Sequence, residues 1–303
     1  MQYKFIKYTK LWFLLSAIMI AAGVVGMVRN QLEFESPLVY GIDFTGGTLM
    51  ELQFEEGVTP ENDALFAAID EAYTGSVSQI TVTDQNTYIV QTKDMSEEQR
   101  VAVSASIRAD LGEFELLRFN TIGPKIGETL KQKAAVALVI ALVAIVLYIA
   151  YAFRRVPKKV SPWRFGFSAI VALAHDVLIT LGIFALLGYE VNAFFITALL
   201  TIMGFSVHDT IVVFDRIREN LKKQGRDDTF GDIADLSLNQ TLTRSINTSI
   251  STLFPLLALY IWGSDAIQTF VFALIIGIFV GTYSSIFIAS PVLTIWQEKL
   301  RRR

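Results

Sequence analysis

Six stretches of the chain are mostly apolar over about the 20 residues a bilayer-crossing helix needs: residues 11–28, 134–153, 165–187, 194–214, 242–262 and 267–296. No soluble domain needs so many. With 52% hydrophobic residues and a mean hydropathy of +0.46, the 303-residue chain reads as a polytopic α-helical membrane protein with six transmembrane helices. The sixth stretch is overlong, which implies tilt or a part outside the hydrocarbon.

Lysine and arginine gather at alternate ends of these stretches. One set is Lys4, Lys7 and Lys10, then Arg154, Arg155, Lys158, Lys159 and Arg164. It continues with Arg216, Arg218, Lys222, Lys223 and Arg226, and ends with Lys299, Arg301, Arg302 and Arg303. The loops "GYEVN" and "GSDA" between them carry no base. By the positive-inside rule both termini are expected in the cytoplasm and residues 30–131 outside. The expected plan is a cytoplasmic N-terminus and first helix over 1–29, an external domain over 30–131 and a five-helix bundle over 132–303. A cleaved signal peptide is the rival reading of the first stretch, but the run is long for one and its removal would spoil the alternation.

The net charge of −3 conceals a segregation, because residues 30–131 hold 18 acids and 6 bases. In "GIDFTGGTLMELQF", Met50, Leu52 and Phe54 alternate with Glu51 and Gln53, the period of a half-buried strand. "TPEN" predicts a helix start, with Thr59 as cap and Pro60 in its first position. "VSQITV" and "TYIVQT" are two strands joined by a turn at "TDQN". Ser96 and Gln99 of "SEEQ" fit a capping box, and "EFELLRF" closes the domain as a strand. The order βαββαβ is that of an α+β ferredoxin-like domain placed between the first two helices. It contains no histidine, and the whole chain contains no cysteine, which removes thiolate metal sites and disulfides.

Inside the apolar stretches lie groups that cost energy to bury. Asp176 is 11 residues from either end of its stretch, roughly 16 Å deep at 1.5 Å per residue. Ala169, Ala172 and Thr180 share its face. Asp209 lies nearer the cytoplasmic end of the next stretch, beside the stripe Thr197, Thr201, Gly204 and His208. In the fifth, Gln240, Arg244, Asn247, Thr248 and Ser251 fall on one face and Leu242, Ile246, Ile250 and Leu253 on the opposite one. The polar face is expected to point inward, with Arg244 near the depth of Asp209. Ala273, Gly277, Gly281, Ser285 and Ala289 recur every fourth position in the sixth stretch, a helix-packing seam. A carboxylate at a helix centre costs about 2.5–3.5 kcal/mol on insertion scales. Such groups point to a proton or ion relay, in which Arg244 moving relative to Asp209 switches the acid and His208 is available to share the proton. The plainer alternative is an ion pair that fixes helix register.

The segments "GIDFTGG", "IGPKIGETL", "ALAHDVLITLG", "GFSVHDTIVVFDRIREN" and "LNQTLTRSINTSISTL" occur in this order along nearly the whole chain. Together they resemble the SecD/SecF family of Sec translocon accessory subunits, in the resistance-nodulation-division superfamily. The length matches the shorter SecF type. The resemblance implies a subunit of the bacterial inner membrane that pairs with SecD and docks on the SecYEG channel. It would use the proton motive force to assist export of unfolded preproteins. The coupling ion implied by the resemblance is H⁺, with Na⁺ as the alternative, and no other cofactor and no nucleic acid is implied. Contact with membrane lipid follows from the spans. Asp209 matches the family's intramembrane acid, Arg244 its arginine and Asp176 the acid of the preceding motif. Gly41, Asp43, Gly46 and Gly47 carry the family motif of the external domain.

Two other functions compete: a small-molecule exporter of the same superfamily, whose members have duplicated halves, and a passive assembly factor of the channel. An enzyme is not expected. "GIDFTGGT" lacks the lysine of a phosphate loop and precedes a strand rather than a helix.

Overall fold

The computed structural model describes residues 3–55, 57–82, 86–154, 161–223 and 229–301. The bases Arg155, Lys158, Lys159, Arg226, Arg302 and Arg303 and positions 83–85 of the "TDQN" turn lie outside them. The chain divides into two compact units, Tyr40–Ala135 and the remainder.

The larger unit contains the long helices α1 (Thr9–Phe34), α6 (Pro162–Leu187), α7 (Ala193–Lys222) and α8 (Phe230–Trp262), together with the part of α5 (Pro124–Ala152) that follows Ala135. The sixth apolar stretch forms α9 (Asp265–Ser284), a π-turn (Ser285–Ala289) and α10 (Ser290–Arg301). All six expected spans are helices long and apolar enough to cross a bilayer. Several run further than their apolar cores. α8 starts at Phe230, well before residue 242, because Thr229 and Asp232 form a reciprocal capping box. α1 continues past residue 28, where Arg29 and Asn30 serve α6. Asn30 is fully buried and its Nδ2 donates to the Ala185 carbonyl at 2.9 Å. Arg29 reaches the carbonyls of Ala185 and Leu186, which the last turn of a helix leaves unpaired.

Small residues set the helix contacts. A Cβ on Gly23 of α1 would come 2.6 Å from the Gly182 Cα of α6, so these backbones touch. The expected seam on α9 packs against α7, with Gly277 on Ile202 and Gly281 on Ser206. Near one end of the bundle Phe153 stacks on Phe165 at 4.9 Å, and Phe214 meets both edge-on.

The smaller unit begins with the one-turn helix α2 (Ile42–Thr45). There follow β1 (Gly47–Phe54), α3 (Asn62–Ala72), β2 (Val77–Val82), β3 (Thr87–Thr92), α4 (Glu97–Leu111) and β4 (Phe114–Ile122). The strands form one antiparallel sheet in the order β2-β3-β1-β4, the ferredoxin-like arrangement. The inward residues Met50, Leu52, Phe54, Tyr88 and Val90 meet Leu65, Ile69, Val103 and Ile107 of the two helices. The Ser96–Gln99 capping box is present. Arg100 bonds Glu97 and holds its carboxyl below the usual glutamate range, and the Ser96 hydroxyl does the same to Glu98. The "TPEN" expectation is corrected: α3 begins at Asn62 with Glu61 as its cap position, and Thr59 caps nothing. The Pro60 carbonyl instead accepts a hydrogen bond from the Tyr88 hydroxyl at 2.8 Å, which ties this segment to the sheet.

Candidate functional site

Asp176 lies in the middle of α6 and is 1% exposed. Its Oδ1 is 2.9 Å from Nδ1 of His175, the preceding residue. Its Oδ2 accepts from the Ser206 hydroxyl of α7 at 2.6 Å and from the Ser284 hydroxyl of α9 at 2.8 Å. Three helices therefore close on one carboxylate. His175 extends the network to a fourth, because its Nε2 is 2.9 Å from Ser16 Oγ of α1. The imidazole stacks on the Tyr283 ring, and the Tyr283 hydroxyl donates to the Trp12 carbonyl at 2.9 Å. A neutral His175 donates from Nδ1 to Asp176 and accepts from Ser16. A protonated one donates to both, leaving Ser16 to donate to Tyr283.

Asp209 lies on α7, nearly one turn beyond Ser206, and is 5% exposed. The Ser245 hydroxyl of α8 donates to Oδ1 at 2.5 Å, and the Ser285 hydroxyl donates to Oδ2. One turn away Ser249 of α8 and Thr282 of α9 share a hydrogen bond of 2.5 Å. The two carboxylates are thus served by adjacent serines on one helix, at the point where α9 passes into the π-turn. Such turns are frequent at functional sites.

The expected inward face of α8 is corrected. Its buried stripe is Ser237, Thr241, Ser245 and Ser249. Gln240, Arg244, Asn247 and Ser251 are exposed on the surface of this chain and Thr248 is half-buried. Among the described residues no ion pair joins Arg244 to Asp209. The reason is geometric. Ser245 faces Asp209, and the residue before it points about 100° away around the helix. Short hydroxyls also let α8 approach α7 and α9 closely, which a guanidinium would prevent. Gln240 instead accepts from Arg216 Nε at 2.6 Å and Asn220 Nδ2 at 2.8 Å, both on α7. His208 is exposed with Thr197, Thr201 and Gly204, and a Cβ on Gly204 would meet nothing within 4 Å.

The motif residues of the smaller unit form a backbone knot. Gly46 and Gly47 have φ of 72° and 119°, values that favour glycine. A Cβ on Gly46 would lie 2.6 Å from Pro124 Cα, and one on Gly127 would lie 2.7 Å from Gly46 N. "GIDFTGG" and "IGPKIGETL" interlock at this point. Gly41 supplies the extended residue before α2, and Asp43 lies in its first turn. Lys131 places its Nζ 4.2 Å over the Tyr40 ring.

Sequence reasoning found both acids but missed the groups that hold them: His175, Ser16, Ser206, Ser245, Ser284 and Ser285. The available signals were the twice-written His-Asp dipeptide and the hydroxyl at every fourth position from 237 to 249.

Six apolar helices, four of which hold two hydroxyl-bound carboxylates between them, with a ferredoxin-like domain between the first two in sequence, define a polytopic membrane protein built on an acidic core. Residues 102–299 match the family described as "Protein export membrane protein SecD/SecF, C-terminal", and residues 34–58 match the "SecD/SecF GG Motif". The SecF protein translocase subunit of Thermobaculum terrenum is 42% identical, over 97% of this chain and 94% of its own length. That of Synechocystis sp. is 36% identical, over 96% and 93%. The crystal structure of SecDF, a translocon-associated membrane protein from Thermus thermophilus, superposes with a TM-score of 0.85 at 34% identity. That match covers 98% of this chain and 39% of the SecDF chain. The chain belongs to the SecD/SecF family and is a multi-pass membrane protein of protein export.

Proposed function

We propose that the chain is a SecF-type translocase subunit that works with SecD to turn the proton motive force into preprotein movement through the SecYEG channel. It acts as a transport accessory and not as a catalyst. The observation that carries this reading is Asp209, buried within an apolar helix, held by two neutral hydroxyls, with no cationic partner among the described residues. Its balancing positive charge must arrive from elsewhere: a proton, with Na⁺ as the alternative, or Arg244 after a rotation of α8. Asp176 is the second carboxylate of the pathway.

Pairing with SecD is supported by the Thermus SecDF chain, of which the matching part is only 39%. It is also supported by the polar surfaces of α7 and α8, where His208 and Arg244 are exposed within the lengths that cross the bilayer. An arginine facing lipid within an apolar length is costly, at most about 2.5–3.5 kcal/mol where it lies at a helix centre, and a partner's polar groups would relieve that cost. The ferredoxin-like domain lies outside the inner membrane and handles unfolded preprotein, and both termini are cytoplasmic.

The decisive test is Asp209→Asn in membrane vesicles that export a preprotein with and without an imposed ion gradient. The variant should assemble with its partners and lose the gradient-dependent gain; retention of the full gain refutes the relay. Sidedness is tested with single cysteines, since the chain has none of its own. A cysteine at Glu97 should react with an impermeant reagent added outside and one at Lys222 only from inside. The reverse pattern overturns the topology.

A further inference from the structure

We infer that Ser284 and Ser285 are the positioning residues that read the charge states of Asp176 and Asp209 and couple the two acids through the α-to-π junction of the last membrane helix. The inference rests on the proposed role of these acids.

A serine hydroxyl has one hydrogen to donate. Ser284 has two acceptors in reach, Asp176 Oδ2 at 2.8 Å and the Gly281 carbonyl at 3.1 Å. Ser285 likewise has Asp209 Oδ2 and the Thr282 carbonyl at 3.0 Å. A charged carboxylate is the stronger acceptor and takes the hydrogen. A protonated one can itself donate, so the serine accepts from it and turns its own hydrogen to the carbonyl a turn back. The other hydroxyls on these acids, Ser206 and Ser245, make no such second bond among the described residues. Each acid therefore has one hydroxyl that switches and at least one that does not.

The switched bonds fall where they have the most leverage. Gly281 and Thr282 are in the last turn of α9, and Ser285 opens the π-turn. Back-bonding by serine bends a helix and competes with its ladder. Ser290 already gives its hydroxyl to the Ser285 carbonyl at 3.2 Å, so side-chain hydroxyls hold the π-turn at both ends. Gly281 packs on Ser206, so a bend here is felt by α7, which carries Asp209. Protonating one acid thus changes the hydroxyl next in sequence to the one that serves the other. Among the described residues the titratable groups facing the pair are His175 from α6 and Tyr283 from α9. α1 contributes Ser16 and α8 contributes Ser245, while His208 and Arg244 are on the outer surface.

The test measures the reactivity of each acid toward dicyclohexylcarbodiimide, which modifies protonated carboxyls in apolar surroundings. It uses the full chain in its membranes, with peptide mass spectrometry at Asp176 and Asp209. Asp209→Asn should change the modification rate of Asp176 by about fivefold or more, the lower end of ordinary site–site coupling. Ser284→Ala or Ser285→Ala should each abolish that dependence, and Ser→Thr at the same position should restore it. Ser206→Ala should change the rate at Asp176 and leave the dependence intact. An Asp176 rate indifferent to Asp209→Asn, or a dependence that survives either alanine change, overturns the inference. So does loss of the dependence in Ser206→Ala. Failure of the proposed function shows separately, as gradient-driven export that persists in Asp209→Asn.

Discussion

The chain writes His-Asp twice inside its apolar helices, and the two pairs are built differently. His175 is 6% exposed, bonded to Asp176 on one nitrogen and to Ser16 on the other. His208 is exposed and Asp209 draws its hydrogen bonds from serines of other helices. Neighbours on a helix diverge by about 100°, so the dipeptide alone fixes neither arrangement. What decides is whether another helix brings a polar group to the histidine's side. For His175 that helix is α1. Gly23 touches Gly182, and one heptad earlier on both helices lie Ser16 and His175. The glycine contact sets the register of two parallel helices, and the register delivers the serine. α7 presents His208 where no helix among the described residues stands.

Removing each histidine in turn tests whether the two pairs differ as described. His175→Ala leaves the Asp176 carboxylate and the Ser16 hydroxyl each short of a buried partner, and should cost about 1–3 kcal/mol of stability. Thermal denaturation of the purified protein measures it. His208→Ala should stay within about 0.5 kcal/mol in the same assay, as surface changes do. Equal losses would mean that His208 is as firmly held as His175. A loss for His208→Ala that is seen only when SecD is added would show that the outward histidine is completed from outside the chain.

Legibility followed the same division. The six helices and the βαββαβ order could be read because length and period are one-dimensional properties, and the Ser96–Gln99 box because capping is local. Asp176 and Asp209 stood out because charge in an apolar run is rare. The holding groups did not. α8 has three faces: aliphatic, hydroxyl-bearing, and one with Arg244. Amphipathic reasoning assigns the most polar face inward. Packing chose the face with the smallest side chains, because buried hydroxyls can satisfy a carboxylate without an added charge to desolvate. Ser285 was legible as a small residue of the α9 seam. Its hydrogen bond to Asp209 was not, since serine at such positions serves close packing as well.

The Gly46–Pro124 contact marks where the ferredoxin-like domain is spliced into the chain. It sets the first and last strands of the ferredoxin-like domain side by side at their roots, so everything between them is a cassette with abutting ends. Loops there can lengthen, or a homologous insert can be grafted whole, without new demands on the chain to either side. The sites that must survive such surgery are the two positive-φ glycines, the proline and Gly127, since a methyl group at Gly46 or Gly127 would hold the splice open.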